Sequence, residues 1–285
     1  MINEILAEVL VRWESNPITH LFFSPEIMVK SFPFVVKGFP ITLILGIGSF
    51  LLAIPLGLAF SFMKMSKIKP VKWLANVYID IVRGTPMILW VLIIYFSLPL
   101  IPAYRVLVEP FKGIEFLRVP FSSWIRCFII LSANSAAYFA EIFRAGIQSI
   151  PKGQMEAARS LGMRTSAAMA SVILPQTVRR ILPTSMSEFI LILKDTALLS
   201  TISIYEVMLQ AKLLSSKEMN STPLVLAAMF YLIVTIPAGR FVAYYENKLA
   251  QQDSGERSKG KRPPRLDVES DRIVPHEENV LLGVR

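Results

Sequence analysis

Thiol and imidazole groups are scarce in this chain. Its 285 residues include one cysteine, Cys127, and two histidines, His20 and His276. A single thiol excludes an intrachain disulfide and a cysteine-built metal cluster, and Cys127, set in an apolar stretch, reads as a small hydrophobe. Both histidines lie outside the apolar runs, and no nucleophile–base arrangement is evident, so the expectation is a non-enzyme with no cofactor and no metal site. Charge is scarce as well: 18% of residues are Asp, Glu, Lys or Arg against 53% hydrophobic. With a mean hydropathy of +0.52, the chain carries more apolar surface than one soluble core normally hides. A phosphate-binding loop is also missing. Gly255, Gly260 and Lys261 mimic its spacing, but Arg262 stands where Ser or Thr would hold magnesium, and Pro263-Pro264 forbid the helix that must come next. The opening stretch MINEILAEVLVRWESNP is acidic and amphipathic, unlike a cleaved signal peptide, which begins basic and continues apolar.

What the chain does have is long apolar runs. A membrane helix needs about 20 mostly apolar residues, and five candidates emerge. The first runs from Phe39 to Met63 without a charge; the second covers Met87 to Ile101, extended backward through VYIDIVRGTP; the third runs from Phe121 to Phe143. The fourth, Pro183 to Ile204, is the weakest, because Lys194 and Asp195 fall near its middle, and the fifth runs from Pro223 to Val242. The expected fold class is therefore all-α integral membrane with five transmembrane helices. Its parts are an amino-terminal extracytoplasmic segment (1–38), a transmembrane domain (39–245) and a polar, proline-containing tail with little fixed structure (246–285).

The net charge of +9 would suit a nucleic-acid binder, but its placement argues for topology instead. Lys64, Lys67, Lys69 and Lys72 fill the first gap between runs, and Arg144, Lys152, Arg159, Arg164, Arg179 and Arg180 fill the third. The connection from Tyr205 to Thr222 balances Lys212 and Lys217 with Glu206 and Glu218. Since lysine and arginine resist translocation, the amino terminus is expected outside and the carboxyl terminus in the cytoplasm.

Small residues recur at helical spacing within two spans. Gly46, Ser49, Ala53 and Gly57 form one narrow face, and Ser132, Ala136 and Ala140 another, which lets helix backbones approach in lipid. Neither face identifies a function.

The informative segment runs from Ile150 to Pro183, IPKGQMEAARSLGMRTSAAMASVILPQTVRRILP. Its apolar runs are too short to span. Gln154 to Leu161 are strong helix formers, and Gly162 stands next, where a left-handed cap ends a helix. Thr165 or Ser166 can cap a second helix toward Ile173, with Pro175 and Pro183 interrupting the chain beyond it. Ala157, Ala158, Ala167 and Ala168 make this helix pair small-faced, suited to a groove on another protein, with Glu156 and Arg159 fixing register by ion pairs. An amphipathic helix resting on the bilayer is the plainer alternative.

Glu156-Ala157-Ala158, Gly162 and Ile173-Leu174-Pro175 together resemble the EAA loop of ABC importer membrane subunits. Arg83-Gly84-Thr85-Pro86, the run from Ala136 to Gln154 and the run from Leu193 to Ser200 resemble the polar amino acid type within that family, the histidine, glutamine and arginine permeases. The resemblance covers residues 36 to 245; Ala197 and Ser187-Glu188 depart from its pattern, where serine and asparagine are expected. It implies a type I importer-like fold in the bacterial cytoplasmic (inner) membrane. It also implies an ATPase subunit dimer that binds the ATP, a second permease subunit identical or paralogous to this one, and an extracytoplasmic solute-binding protein. The docking residues it points to are Gly153, Glu156, Ala157, Ala158, Arg159 and Gly162, within a coupling loop over about 150–183.

Charges at membrane depth need partners or a wet cavity. That makes Glu141, Lys194 and Asp195 candidates for the path of a zwitterionic amino acid, which requires a cation, an anion and hydrogen-bonding groups nearby. Lys194 and Asp195 diverge by about 100° around a helix and are expected to reach different partners. Asn134, Tyr138 and Glu141 share one helix face by their four- and three-residue steps, and either line the path or hold the bundle together. A secondary, ion-coupled transporter of a small polar solute is the competing reading, but it gives no reason for the helix pair after Gly153.

Overall fold

The computed structural model describes residues 17–260, and side chains from His20 to Leu249. The sequence expectations for residues 1–16 and 261–285 lie outside the described residues. The chain divides into two compact units, Met1–Glu246 and Asn247–Arg285.

A short α1 (Pro17–Phe22) precedes α2 (Pro25–Met65), which is 41 residues long. Pro25 opens α2 at a position where its missing N–H costs nothing, and the helix ends as Ser66 turns extended. At 1.5 Å per residue α2 is about 60 Å long, twice the hydrocarbon thickness of a bilayer. It starts well before Phe39 and runs unbroken through the expected segment boundary at 38.

The second expected span is two helices, α3 (Lys69–Gly84) and α4 (Met87–Ser97), bent by 112° at the break. Pro86 is the cause. It lacks an N–H for a continuing helix and pushes Thr85 out of the helical region, to φ −114° and ψ 137°. Beyond it come a 3₁₀ turn (Leu98–Leu100), α5 (Pro102–Val108) and a second 3₁₀ turn (Glu109–Phe111). Next is a minimal antiparallel hairpin, β1 (Glu115–Phe116) against β2 (Val119–Pro120).

Helix α6 (Phe121–Gln148) forms the centre, with α2, α3, α4 and α9 packed around it. After α7 (Lys152–Ser160) the chain forms α8 (Thr165–Ala168), a π turn (Met169–Ile173) and α9 (Leu174–Asp195) as one unbroken helical run. Pro175 and Pro183 therefore do not interrupt it. The π turn shifts the register so that Leu174 N–H reaches the Met169 carbonyl, and Pro175 enters where its missing donor is tolerated. A 3₁₀ segment (Thr196–Ile202), α10 (Val207–Glu218) and α11 (Thr222–Gly260) complete the described chain. The last helix continues to Gly260, through residues where the composition pointed to little fixed structure.

Among the described residues, three helical stretches can cross a membrane by length and composition, His20–Met65, Phe121–Gln148 and Thr222–Leu249, and the bent pair makes up to four. The stretch 183–204 is not among them; Lys194, Asp195 and the change from α to 3₁₀ geometry at Thr196 divide it.

Both small faces are buried. A Cβ on Gly57 would strike the Phe139 side chain and lie 3.1 Å from the Ala136 carbonyl, so α2 and α6 meet backbone to backbone there. On Gly46 it would lie 2.8 Å from the Leu193 side chain of α9, and on Gly146 of α6 it would strike Ile181 of α9. Outside, Leu51, Phe96 and Ile233 are each more than half exposed, as expected where the solvent is hydrocarbon.

Glu206 ties the end of the bundle carrying α10. Fully buried, it caps α10 by accepting from Met208 N–H and Leu209 N–H, both at 2.7 Å, and it accepts from the Tyr231 hydroxyl of α11 at 2.9 Å.

Candidate functional site

Helix α7 ends in a complete Schellman motif. Gly162 stands at φ +83°, its N–H donates to the Arg159 carbonyl at 3.0 Å, and Met163 N–H donates to the Ala158 carbonyl at 3.2 Å. The left-handed cap expected at Gly162 is present. The cap of the next helix differs: Arg164 is the N-cap and contributes no side-chain bond, while Thr165 is already inside α8 and its hydroxyl accepts from Arg159 Nη1 at 3.1 Å.

The small residues of this pair face two ways. Ala158 and Ala168 are buried, at 5% and 0% exposure, and hold the loop together, so Ala158 is not part of the outward surface that the spacing alone assigned to it. Gly153, Glu156, Ala157, Arg159 and Gly162 are exposed, and Leu161 is 85% exposed. Single exposed apolar residues are common, and Met219 is equally bare, so Leu161 widens this face without by itself marking a contact. Sequence spacing missed its exposure, because Leu161 reads as the last apolar residue of the helix.

Deeper in the bundle the expected path residues take separate places. Asn134, 7% exposed, lines a cavity of about 220 Å³ with Tyr78, Val82 and Trp90, and among the described residues its amide makes no hydrogen bond. Tyr138 lies under the Arg83 guanidinium, 5.4 Å from ring centre to Cζ. The Glu141 carboxylate is taken by two cations: Lys64 from the end of α2, and Arg144, whose Nε and Nη2 donate at 2.8 and 2.7 Å. Lys194 is exposed and Asp195 half-buried, and among the described residues neither forms an ion pair.

Glu188 belongs to the same region. It is 6% exposed, lies beside Ser135 of α6, and has Asp195 and Arg83 within electrostatic range. Two turns separate Glu188 from Asp195, so both carboxylates project from one side of α9. That seven-residue step was the available signal; hydropathy registered only the pair at Lys194-Asp195.

The family described as binding-protein-dependent transport system inner membrane component matches residues 53–251, more than half of the sequence. The chain belongs to this family. The match takes in the helix pair, α9 and every membrane-depth residue named above. The probable amino-acid ABC transporter permease protein YckA of Bacillus subtilis (strain 168) is 34% identical to this permease over 241 residues, 84% of this chain and 97% of the relative. The arginine transport system permease protein ArtQ of the same organism is 31% identical over 226 residues, 79% of this chain and 96% of that one. A crystal structure of an amino acid ABC transporter with histidines aligns at TM-score 0.62 and 35% identity, over 78% of this permease and 96% of that chain. Inward-facing MetNI methionine ABC transporter structures share the fold at 17% identity and TM-score 0.55. The permease is thus a mostly helical inner-membrane transport component with an importer-type fold.

Proposed function

We propose that this permease is the membrane-spanning subunit of an ATP-binding cassette importer and moves a polar amino acid across the cytoplasmic membrane by alternating access. Relatives whose names carry amino-acid, arginine and glutamine transport support the substrate class. The reading takes α2, the bent α3–α4 pair, α6, α9 and α11 as five spans. It sets the amino terminus outside and the α7–α8 pair in the cytoplasm as the EAA coupling loop.

The observation that carries the proposal is mechanical continuity. From Thr165 the helical run passes without a break to Asp195, and α7 packs against α8 and the π turn, so a displacement applied at α7 passes to that run and along it to Glu188 and Asp195. Two ATPase subunits, closing on ATP, grip the exposed face of Gly153, Glu156, Ala157, Arg159, Leu161 and Gly162, while Ala158 braces it from within. Each state of the ATPase dimer fits one packing of the bundle better, and that difference in affinity shifts the population between inward-open and outward-open forms. A second permease subunit, identical or paralogous, completes the path, and an extracytoplasmic solute-binding protein delivers the solute.

Along the path, Glu188 and Asp195 supply negative charge for an ammonium group, Arg83 supplies positive charge for a carboxylate, and Asn134 and Tyr138 offer hydrogen bonds. Glu141 fastens α2 to α6 rather than touching solute, and Lys194 is exposed on the single chain.

The test is uptake into proteoliposomes containing this chain, its ATPase, its second permease and the loaded binding protein. Uptake of L-arginine, L-glutamine or L-histidine is expected to require ATP and to persist when ionophores collapse ion gradients. Uptake that survives without ATP and stops with the ionophore would make the chain an ion-coupled carrier instead.

A further inference from the structure

About a third of the way along α2, some 40 Å from Lys64, a second cavity of about 630 Å³ opens between Lys37–Ile41, the β1–β2 hairpin and the start of α10. Pro40, Ile41 and Leu117 give it apolar walls, and Lys37, Arg118, Tyr205 and Gln210 give it polar ones. Two cations therefore face one concavity whose lining contains no acidic side chain. Neither has an anionic partner among the described residues; Lys37 only rests over the Phe34 ring, 5.5 Å from its centre. The Tyr205 hydroxyl and the Gln210 amide are likewise without hydrogen bonds there. Glu206, next to Tyr205, is turned inward and occupied by the α10 cap and Tyr231.

The backbone holds this arrangement at a cost. Leu117 and Arg118 form the two-residue hairpin turn with φ +51° and +63°, a conformation that glycine or asparagine normally fills. Each such residue with an ordinary side chain is destabilising, and positions of this kind concentrate at functional sites. Trp124 Nε1 donates to the Phe116 carbonyl at 3.1 Å and Phe121 N–H donates to the Ile114 carbonyl at 2.9 Å, anchoring the hairpin on α6. The opposite wall is fixed where Gly38 packs against the Glu206–Val207 backbone, at a distance (2.6 Å from a Cβ) that admits no side chain.

We infer that this vestibule is an entry site for the α-carboxylate of a small solute, held by Lys37 and Arg118 with Tyr205 and Gln210 as hydrogen-bonding partners. A volume within the usual range for small-ligand sites, with apolar walls, fits a whole amino acid rather than a single surface ion pair. The inference rests on the orientation proposed above, which puts this end outside. The carboxylate would meet the cations first and pass to the Arg83, Glu188 and Asp195 region afterward.

The experiment titrates the assembled ATPase–permease complex in nanodiscs, without binding protein, with L-glutamine and with L-glutaminamide, which differs only in lacking the α-carboxylate. The acid is expected to bind about tenfold more tightly than the amide, in keeping with two partly exposed charge contacts. In an Arg83→Gln background, which silences the inner carboxylate contact, the double variant Lys37→Gln/Arg118→Gln is expected to lose that preference, whereas Glu188→Gln keeps it. Equal binding of acid and amide to the unmodified complex, or a preference that survives the double variant in that background, would overturn the inference. So would a double variant whose only defect is weaker affinity for the binding protein, since the cations would then serve docking. Each of these results presupposes an assembled complex, so they are distinguishable from a failure of the importer reading, in which no ATPase associates and no ATP-driven uptake occurs.

Discussion

Glu141 joins three charged side chains from two helices. Its carboxylate, 17% exposed, faces Lys64 of α2 and Arg144 one turn along α6, so deleting it leaves two cations opposed in a partly dry site. Glu141→Gln is expected to lower the unfolding free energy in detergent by about 2 kcal/mol, below the full penalty for a buried pair because water still reaches the cluster. Lys64→Met is expected to cost about half as much, since Arg144 stays engaged. A double-mutant cycle between Lys64 and Glu141 should return coupling of about 1 kcal/mol, and additive effects would dismiss the clamp. The sequence leaves Glu141 between lining the solute path and holding the bundle, because it shares a helix face with Asn134 and Tyr138. A shared face says nothing about what stands opposite, and here the partner lies 77 residues earlier. Gly162 was legible for the opposite reason: its left-handed cap depends on chemistry within a few residues, where only glycine adopts φ +83° without strain.

At the scale of elements, legibility tracked the same division between local and distant information. Apolar length located α2, α6 and α11, but a hydropathy window has no direction, so it joined α3 and α4 across the 112° break at Pro86. Nor could it foresee that a π turn would carry the helix past Pro175. Helix period recognised the small faces of α7 and α8 without saying which alanines turn inward. That difference yields a prediction. Ala157→Leu adds bulk to an exposed surface and is expected to leave the thermal midpoint of the isolated permease within a degree or two while weakening ATPase association at least tenfold. Ala158→Leu forces three heavy atoms into a packed contact, with an expected loss of 1–3 kcal/mol of stability, about the usual cost of overpacking. Co-purification of the ATPase together with thermal unfolding separates the two outcomes. Equal behaviour of both variants would remove the distinction between docking face and bracing face.

For the whole molecule, the orientation decides where both proposed surfaces work, and the scarcity of cysteine makes it directly measurable. Cys127 is 1% exposed, so a membrane-impermeant maleimide should find almost no native thiol in the folded chain. A cysteine introduced at exposed Glu115, on the hairpin beside the vestibule, is expected to react in intact cells. One introduced at Leu161 should react only in inverted vesicles, and its labelling should fall when the ATPase is bound, because the partner would cover it. From Lys37 to Lys64 α2 rises about 40 Å, longer than the hydrocarbon layer is thick, so no modest tilt could expose both positions on one side. The reverse labelling pattern would place the vestibule on the cytoplasmic side and leave the α7–α8 pair facing away from any ATP-hydrolysing partner. Labelling of Leu161→Cys that the ATPase does not suppress would preserve the topology while removing the docking assignment.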